Sequence, residues 1–565
     1  MSRELSSRPP RILFWSAAVV VGLIQVWAHR HNINPDSISY IEIAQSAREA
    51  GWKSYVNGYW SPLYPFLLTN AFRILDPGPL RESTVVIFVN LAIYLANLAC
   101  FEWFLRELLR LRDASDGSAE RGFPISSRTL WICGYLFFLW AGQYWVTPGW
   151  VSPDLCAAGL GYLATVALIR IHRGQASWAT FVFFGAVLGL GYLAKAPMLP
   201  LALVFLACGF LAVSSDRPAW TRAALAVIVF LMIAAPLAVS LSMAKGRMTF
   251  GDSGRISYAE FVNGAPKYVH WEGEPPGTGI PAHPQRRLLG EPPVYEFAAP
   301  IGGSYPLWYD PSYWYEGIKP HFSLEGQLMA LYRTMSSYLR MFSVTGTLYA
   351  VFVTLFFLVR KSGSWGGGWM GEKFVWVPLV AAFGMFALVH VEPRFVGGFG
   401  LMLLMRVLAR VRFGKPVDKG ELSGLASVII LAPALAIVIS TGKNLEDIAR
   451  PATFEQWEVA RGVHEMGIPP GTAVGYIGTG LGAYWAHLAG VRIIAEIPDN
   501  EQPRFVAADA ARRQQVLALF SSVGARAVVT RNADAANPTD GWRQIPGTHH
   551  FIWQQSWLIA APGKT

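Results

Sequence analysis

Apolar runs of about twenty residues recur along the chain, at 11–29, 84–105, 129–147, 154–171, 176–193, 197–213, 223–243, 343–359, 374–391, 396–411 and 422–441. A helix needs about twenty mainly apolar residues to cross a bilayer, so each run is predicted as a span. The stretch from Trp178 to Val213 is too long for one crossing and divides into two. The pattern changes at 30–83, at 244–330 and after Ser440, where polar residues interleave with apolar ones. Within the first of these, Asp36–Glu49 sets Ile38, Ile41 and Ala44 at helical spacing, which predicts a helix lying in the membrane interface. In the tail, β-rich runs (Ala473–Ile477, Val491–Ile494, Ala525–Thr530, Phe551–Trp553) alternate with helical stretches (Leu481–Leu488, Arg504–Ser522), the signature of a small α/β layer.

Composition agrees with this pattern. Of 565 residues, 53% are hydrophobic and only 15% charged, where a soluble chain carries about a quarter charged. The formal charge of +10 does not imply nucleic acid, because its carriers stand beside the apolar runs. Arg106, Arg110, Arg112, Arg121, Arg128, Arg170, Arg173, Arg222, Lys373, Arg406, Arg410, Arg412 and Lys415 fall on the side of the N-terminus, which the positive-inside rule makes cytoplasmic. The first run follows a basic N-terminus without a good cleavage site, so an uncleaved first span is expected. Cys100, Cys133, Cys156 and Cys208 lie in or beside apolar runs and read as small core residues. The expected architecture is an α-helical polytopic membrane protein of about eleven transmembrane helices (1–441). A small extracytoplasmic α/β domain (442–565) completes it, in a bacterial inner membrane.

On the other side, the short loops are nearly free of basic residues, which sets Lys195 and Arg394 apart. Asp36, Asp154 and Glu392 fall at the same level. Each has a bland reading: a helix cap for either aspartate, snorkelling for Lys195, a local ion pair for Glu392 and Arg394. Ionisable groups gathered at span ends are otherwise functional candidates.

The motifs around them resemble those of the GT-C glycosyltransferases, a class that includes protein O-mannosyltransferases and aminoarabinose transferases. Asn34–Ala44 is similar to the first outer loop of that class, and Asn57–Pro65 to its second part in a bacterial branch. Val151-Ser152-Pro153-Asp154-Leu155 resembles the second acidic motif, Gly189–Lys195 the Gly-rich Lys motif, and Val391-Glu392-Pro393-Arg394-Phe395 the late Glu-Arg motif. Two departures stand out. Many relatives carry a second acid where this chain has Ser37, and aminoarabinose transferases a Glu-Lys pair where it has Trp60-Ser61. Donor sugar and acceptor are therefore not carried over.

The resemblance implies a lipid-linked, polyprenyl-phosphate sugar donor and an extracytoplasmic glycan, lipid or protein acceptor. A polyprenyl phosphate leaves as a stable anion, so it needs charge compensation, for which Lys195 and Arg394 are suited. Asp36 is the candidate base for the acceptor hydroxyl, with Asp154 orienting the acceptor or helping to hold a divalent cation. Two carboxylates without histidines do not identify a metal. Tyr40, Tyr59, Trp60, Glu392, His270 and Trp271 are candidate substrate contacts; for His270 and Trp271, packing in a cap over the spans is an equal alternative. The rival functions are a membrane transporter, a non-catalytic envelope assembly protein, and a ligase moving a whole lipid-linked oligosaccharide. A glycine-rich stretch, Gly475–Gly482, with Glu496 after the next strand, imitates a dinucleotide fingerprint at irregular spacing.

Overall fold

The computed structural model describes residues 11–115, 123–213, 217–267, 270–365, 372–413, 419–450 and 454–556. Arg121, Lys415 and the Gly366–Gly368 run, which the sequence suggests as a flexible loop, lie outside them. Every apolar run is helical: Arg11–Ala28, Pro79–Ser115, Ser127–Tyr144, Asp154–His172, Trp178–Ala194, Met198–Leu211, Arg217–Lys245, Thr347–Ser362, Lys373–Ala387, Pro393–Arg410 and Lys419–Ala449. Among the described residues, five of these (in the first, second, fourth, seventh and last) have the length and apolarity to cross a membrane by themselves. Trp178–Ala194, Met198–Leu211 and Lys373–Ala387 are shorter apolar helices. The chain is a membrane protein.

The break between Trp178–Ala194 and Met198–Leu211 falls at Lys195, whose backbone is extended (φ −156°, ψ 129°). Pro197 prevents the first helix from running on, since it has no N–H to offer the Leu193 carbonyl and its ring would clash with it. Helix contacts are close: a Cβ on Gly185 would stand 2.2 Å from the Ala226 carbonyl oxygen. Small residues at such crossings let backbones approach and gain dispersion contacts where lipid gives no hydrophobic drive.

The first mixed loop forms the expected helix, Pro35–Ala50, and a second at Leu63–Leu75 that the pattern did not single out. The second loop ends in an amphipathic helix, Leu324–Ser343, reaching past the expected loop boundary at 330. Its Leu324, Leu328, Tyr332 and Leu339 are exposed while Ala330, Thr334 and Tyr338 pack inward.

The strands expected in the tail all form, at Ala473–Ile477, Arg492–Ile497, Ala527–Thr530 and Phe551–Gln554. The expected helix over Arg504–Ser522 is two helices, Gln502–Ala507 and Ala510–Ser522, because Asp509 caps the second by accepting from the Arg512 N–H. The sheet has seven strands and is not built from the tail alone. Arg286–Leu289 and Val294–Glu296, from the 244–330 loop, add to its edge through the antiparallel pair Tyr295 and Glu496. The 244–330 loop and the tail therefore share one sheet.

Candidate active site

Asp36 sits in the first turn of the Pro35–Ala50 helix without capping it. The cap is Asn34, whose side chain accepts from the Ser37 N–H at 3.1 Å, while Ser37 Oγ accepts from the Asn34 N–H at 3.3 Å. This reciprocal box is the use the chain makes of serine at 37, and it leaves the Asp36 carboxylate free. Asp154 likewise caps nothing: the N-cap of its helix is Pro153, and Asp154 itself is 3% exposed. Lys195 occupies the break after the Trp178–Ala194 helix, and Glu392 and Arg394 flank Pro393 at the start of the Pro393–Arg410 helix.

These five residues meet. Arg394 donates from Nη2 to Asp36 Oδ2 at 3.1 Å and from Nε to Glu392 Oε2 at 2.7 Å, and its Nη1 lies 3.4 Å from Asp154 Oδ2. Lys195 Nζ pairs with Asp154 Oδ1. Both cations also face rings: Lys195 Nζ stands 3.7 Å from the Phe395 centroid, and Arg394 Cζ 5.7 Å from that of Trp150. Two cations against three carboxylates would be costly to bury unless each charge had a partner, and the fork of Arg394 supplies partners on three different segments.

Burial raises Asp36 above the ordinary carboxyl value, with Arg394 pulling against it and Glu392 and Asp154 adding to the rise. Glu392 goes the other way. Burial opposes it, yet the hydrogen bond to His390 and the charge of Arg394 hold it down to about 2.

Two openings share the Arg394–Asp154 pair in their lining. One is a cavity of about 250 Å³ whose wall includes Tyr144, Trp145, Trp150, Ser152 and Glu392. The indole nitrogens of Trp145 and Trp150 are buried without a hydrogen-bond partner. The other is a narrow cleft of apolar groups, Pro197, Met198, Leu201, Phe386 and Phe399, reaching Lys195. The charged group thus borders both an aromatic-walled cavity and an apolar cleft.

Of the other candidates, Tyr40, Tyr59 and Trp60 pack against one another, with ring centroids 5.1 Å (Tyr40–Trp60) and 4.6 Å (Tyr59–Trp60) apart. Tyr40, one turn after Asp36, is buried and meets Trp60 edge-on. Asn57 organises the turn: its Oδ1 accepts from the Tyr59 and Trp60 N–H groups at 2.9 Å each, and its Nδ2 donates to the Tyr309 carbonyl at 2.8 Å. Trp60 Nε1 donates to the Trp308 carbonyl at 3.2 Å.

His270 and Trp271 are not brought to the cluster. His270 Nε2 is 2.7 Å from Glu496 Oε1, tying the second loop to the sheet, and Trp271 is 1% exposed, its Nε1 donating to Thr278 Oγ1 at 3.2 Å. These contacts are those of the packed cap, the alternative reading of the two residues. The same contacts close the imitation fingerprint. Glu496, the acid that would meet a ribose, accepts from Tyr305 Oη at 3.0 Å and from the Gly480 N–H at 3.1 Å. The Tyr305 ring covers Gly480, where a Cβ would stand 2.6 Å from it.

Among the described residues, no group of three or more His, Cys, Asp or Glu side chains is arranged to hold a metal ion. Asp36 and Asp154 are paired with Arg394 and Lys195.

The pattern of sequence missed Trp145, Trp150, Asn57 and His390. The signal present was position: Trp150 stands four residues before Asp154, and His390 two before Glu392.

No family model matches the sequence, and no curated protein matches it significantly. Among solved structures, the chain is similar to ArnT from Cupriavidus metallidurans in the apo state, with a TM-score of 0.55 and 14% identity over 98% of this chain and 99% of that one. It is also similar to the same protein bound to undecaprenyl phosphate, with a TM-score of 0.54 and 14% identity over 96% and 97%. ArnT is an aminoarabinose transferase of the GT-C type. The likeness runs the length of both chains, and this chain has that fold.

Proposed function

We propose that this chain is a GT-C type glycosyltransferase that moves a sugar from a polyprenyl-phosphate donor to an extracytoplasmic acceptor. The observation that carries the reading is Arg394, held among Asp36, Asp154 and Glu392 with Lys195 beside it, and lining a cavity walled by Trp145 and Trp150. Two cations whose carboxylate partners can exchange, beside an aromatic-walled cavity, suit a phosphate and a sugar ring. The undecaprenyl phosphate in the ArnT structure is a ligand of the same chemistry.

In this reading the donor phosphate exchanges for carboxylates on Lys195 and Arg394, which then compensate the leaving anion. Release from Arg394 frees Asp36, and its raised pKa makes it a better base than an ordinary aspartate. Asp36 takes the proton of the acceptor hydroxyl. The acceptor oxygen forms a bond to the sugar C1 as the C1–oxygen bond to phosphate breaks. Products are the glycosylated acceptor with inverted configuration, polyprenyl phosphate and protonated Asp36. Tyr40, Tyr59, Trp60 and Glu392 line the path of the sugar and acceptor, and Asp154, released from Lys195, orients the acceptor. No step is routed through a cation.

The topology belongs to the same proposal: about eleven spans with a cytoplasmic N-terminus, a catalytic part at 1–441, and an extracytoplasmic α/β part at 442–565, in a bacterial inner membrane. A transporter would keep its polar groups near mid-span, whereas the groups here begin or follow helices.

The test is a panel of labelled polyprenyl-phosphate sugars, incubated with the purified chain and membrane fractions, with the labelled product identified. Wild type transfers label from one donor. Asp36→Asn loses on the order of a thousandfold or more in rate at unchanged expression. A fully active Asp36→Asn would refute the base, and no donor consumption by wild type would refute the reaction.

A further inference from the structure

The helix that carries Asp36 is held a second time, from the tail. Glu42 lies six residues beyond Asp36, about 9 Å along and about 120° round the same helix. There His487, on the short helix Tyr484–Leu488, stands between two carboxylates: Nδ1 is 3.3 Å from Glu42 Oε1 and Nε2 is 2.7 Å from Glu82 Oε2. Glu82 belongs to the first turn of the Pro79–Ser115 helix. The three side chains are 11%, 7% and 3% exposed for His487, Glu42 and Glu82.

Geometry fixes the state of this ring. A neutral imidazole carries one N–H, so one of the two carboxylates would face a bare ring nitrogen, whereas the imidazolium donates to both. Burial works against the cation, but the hydrogen bonds and charges of Glu42 and Glu82 raise His487 to about 10. Other neighbours complete the site. The Ser304 N–H donates to Glu42 Oε1 at 2.9 Å, Gln45 Nε2 donates to Glu82 Oε1 at 2.5 Å, and the Tyr484 ring stacks at 5.4 Å. Arg492, on the adjoining strand, feels the charge of Glu42 while its Nε and Nη2 make no hydrogen bond. Without the imidazolium, two buried like charges would face each other, and the helix would lose its tie to the tail.

We propose that His487 is a positioning residue: bridging Glu42 and Glu82, it ties the tail and the Pro79–Ser115 helix to the helix that carries Asp36, and so sets where Asp36 stands. Its bearing on transfer rests on the reading of Asp36 as base; its bearing on the helix does not.

The experiment is hydrogen exchange on the full-length chain in detergent, read over residues 37–47, beside steady-state kinetics with the labelled polyprenyl-phosphate donor. In His487→Ala these amides exchange roughly tenfold faster or more. Adding Glu42→Gln to that variant gives little further change, because both remove the same tie. His487→Gln, which keeps one donor, carries the test if the alanine variant does not fold. In the kinetics, kcat falls at least about tenfold while KM for the donor stays within about threefold, since Lys195 and Arg394 are untouched. Wild-type exchange over 37–47 in both His487 variants would overturn the proposal, as would a loss carried wholly by KM. If wild type turns over no donor, the transfer reading fails, and the exchange data still decide the tie.

Discussion

The Pro393–Arg410 helix carries arginines at both ends, and the two ends differ instructively. At its start, Arg394 is 18% exposed, shared among three carboxylates and open to a cavity of about 250 Å³. At its end, Arg406 and Arg410 are 2% and 0% exposed and both pair with Glu372, with the Trp376 ring 4.9 Å from Arg406. The Trp376 indole N–H also donates to Glu372, at 3.2 Å. The residue types are the same, so charge clustering alone does not mark a site. What marks it is access: the first cluster can exchange a carboxylate for an incoming anion, and the second is sealed in the fold.

The sealed end is the place to break this contrast. Glu372→Gln removes the acid between two buried arginines and should cost roughly 3–5 kcal/mol of stability. Thermal unfolding in detergent reads this, and turnover per folded molecule should hold at wild-type level. Selective loss of turnover without loss of stability would erase the distinction. At the open end, Trp150→Ala should raise KM for the labelled donor about tenfold, or about 1.4 kcal/mol, with stability little changed. An unaltered KM would remove the cavity from the donor's path. The smallest effect is on pH. Asp36 acts only when ionised, and its pKa is raised, so kcat should fall with falling pH through a midpoint above the ordinary aspartate value of about 3.9. Glu392, at about 2, remains ionised across that range and contributes no limb. A midpoint at or below the ordinary value would exclude Asp36.

What could be read from sequence follows from how local the information is. A span announces itself within about twenty residues, and each apolar run is a helix. The five charged residues were legible for a related reason: ionisable groups at the ends of apolar runs are costly and few. Longer-range facts were not legible. The pair of Tyr295 with Glu496 and the contact of His487 with Glu42 join positions that no local period connects. The Leu324–Ser343 helix was hidden differently, since its stripe of Leu324, Leu328, Tyr332 and Leu339 is amphipathic and falls below the apolarity of a span. His270 and Trp271 stayed open in sequence because aromatic rings beside acids serve a sugar or a packed interface equally well, and their burial is a fact of the fold. Ser37 looked like a missing acid; the capping box gives it a task of its own.

The most direct measurement is equilibrium binding of undecaprenyl phosphate to the detergent-solubilised chain and to Lys195→Gln and Arg394→Gln. Wild type should bind, and each variant should weaken binding about tenfold or more at unchanged fold. Equal affinity in all three proteins would contradict the claim that this cluster receives the phosphate.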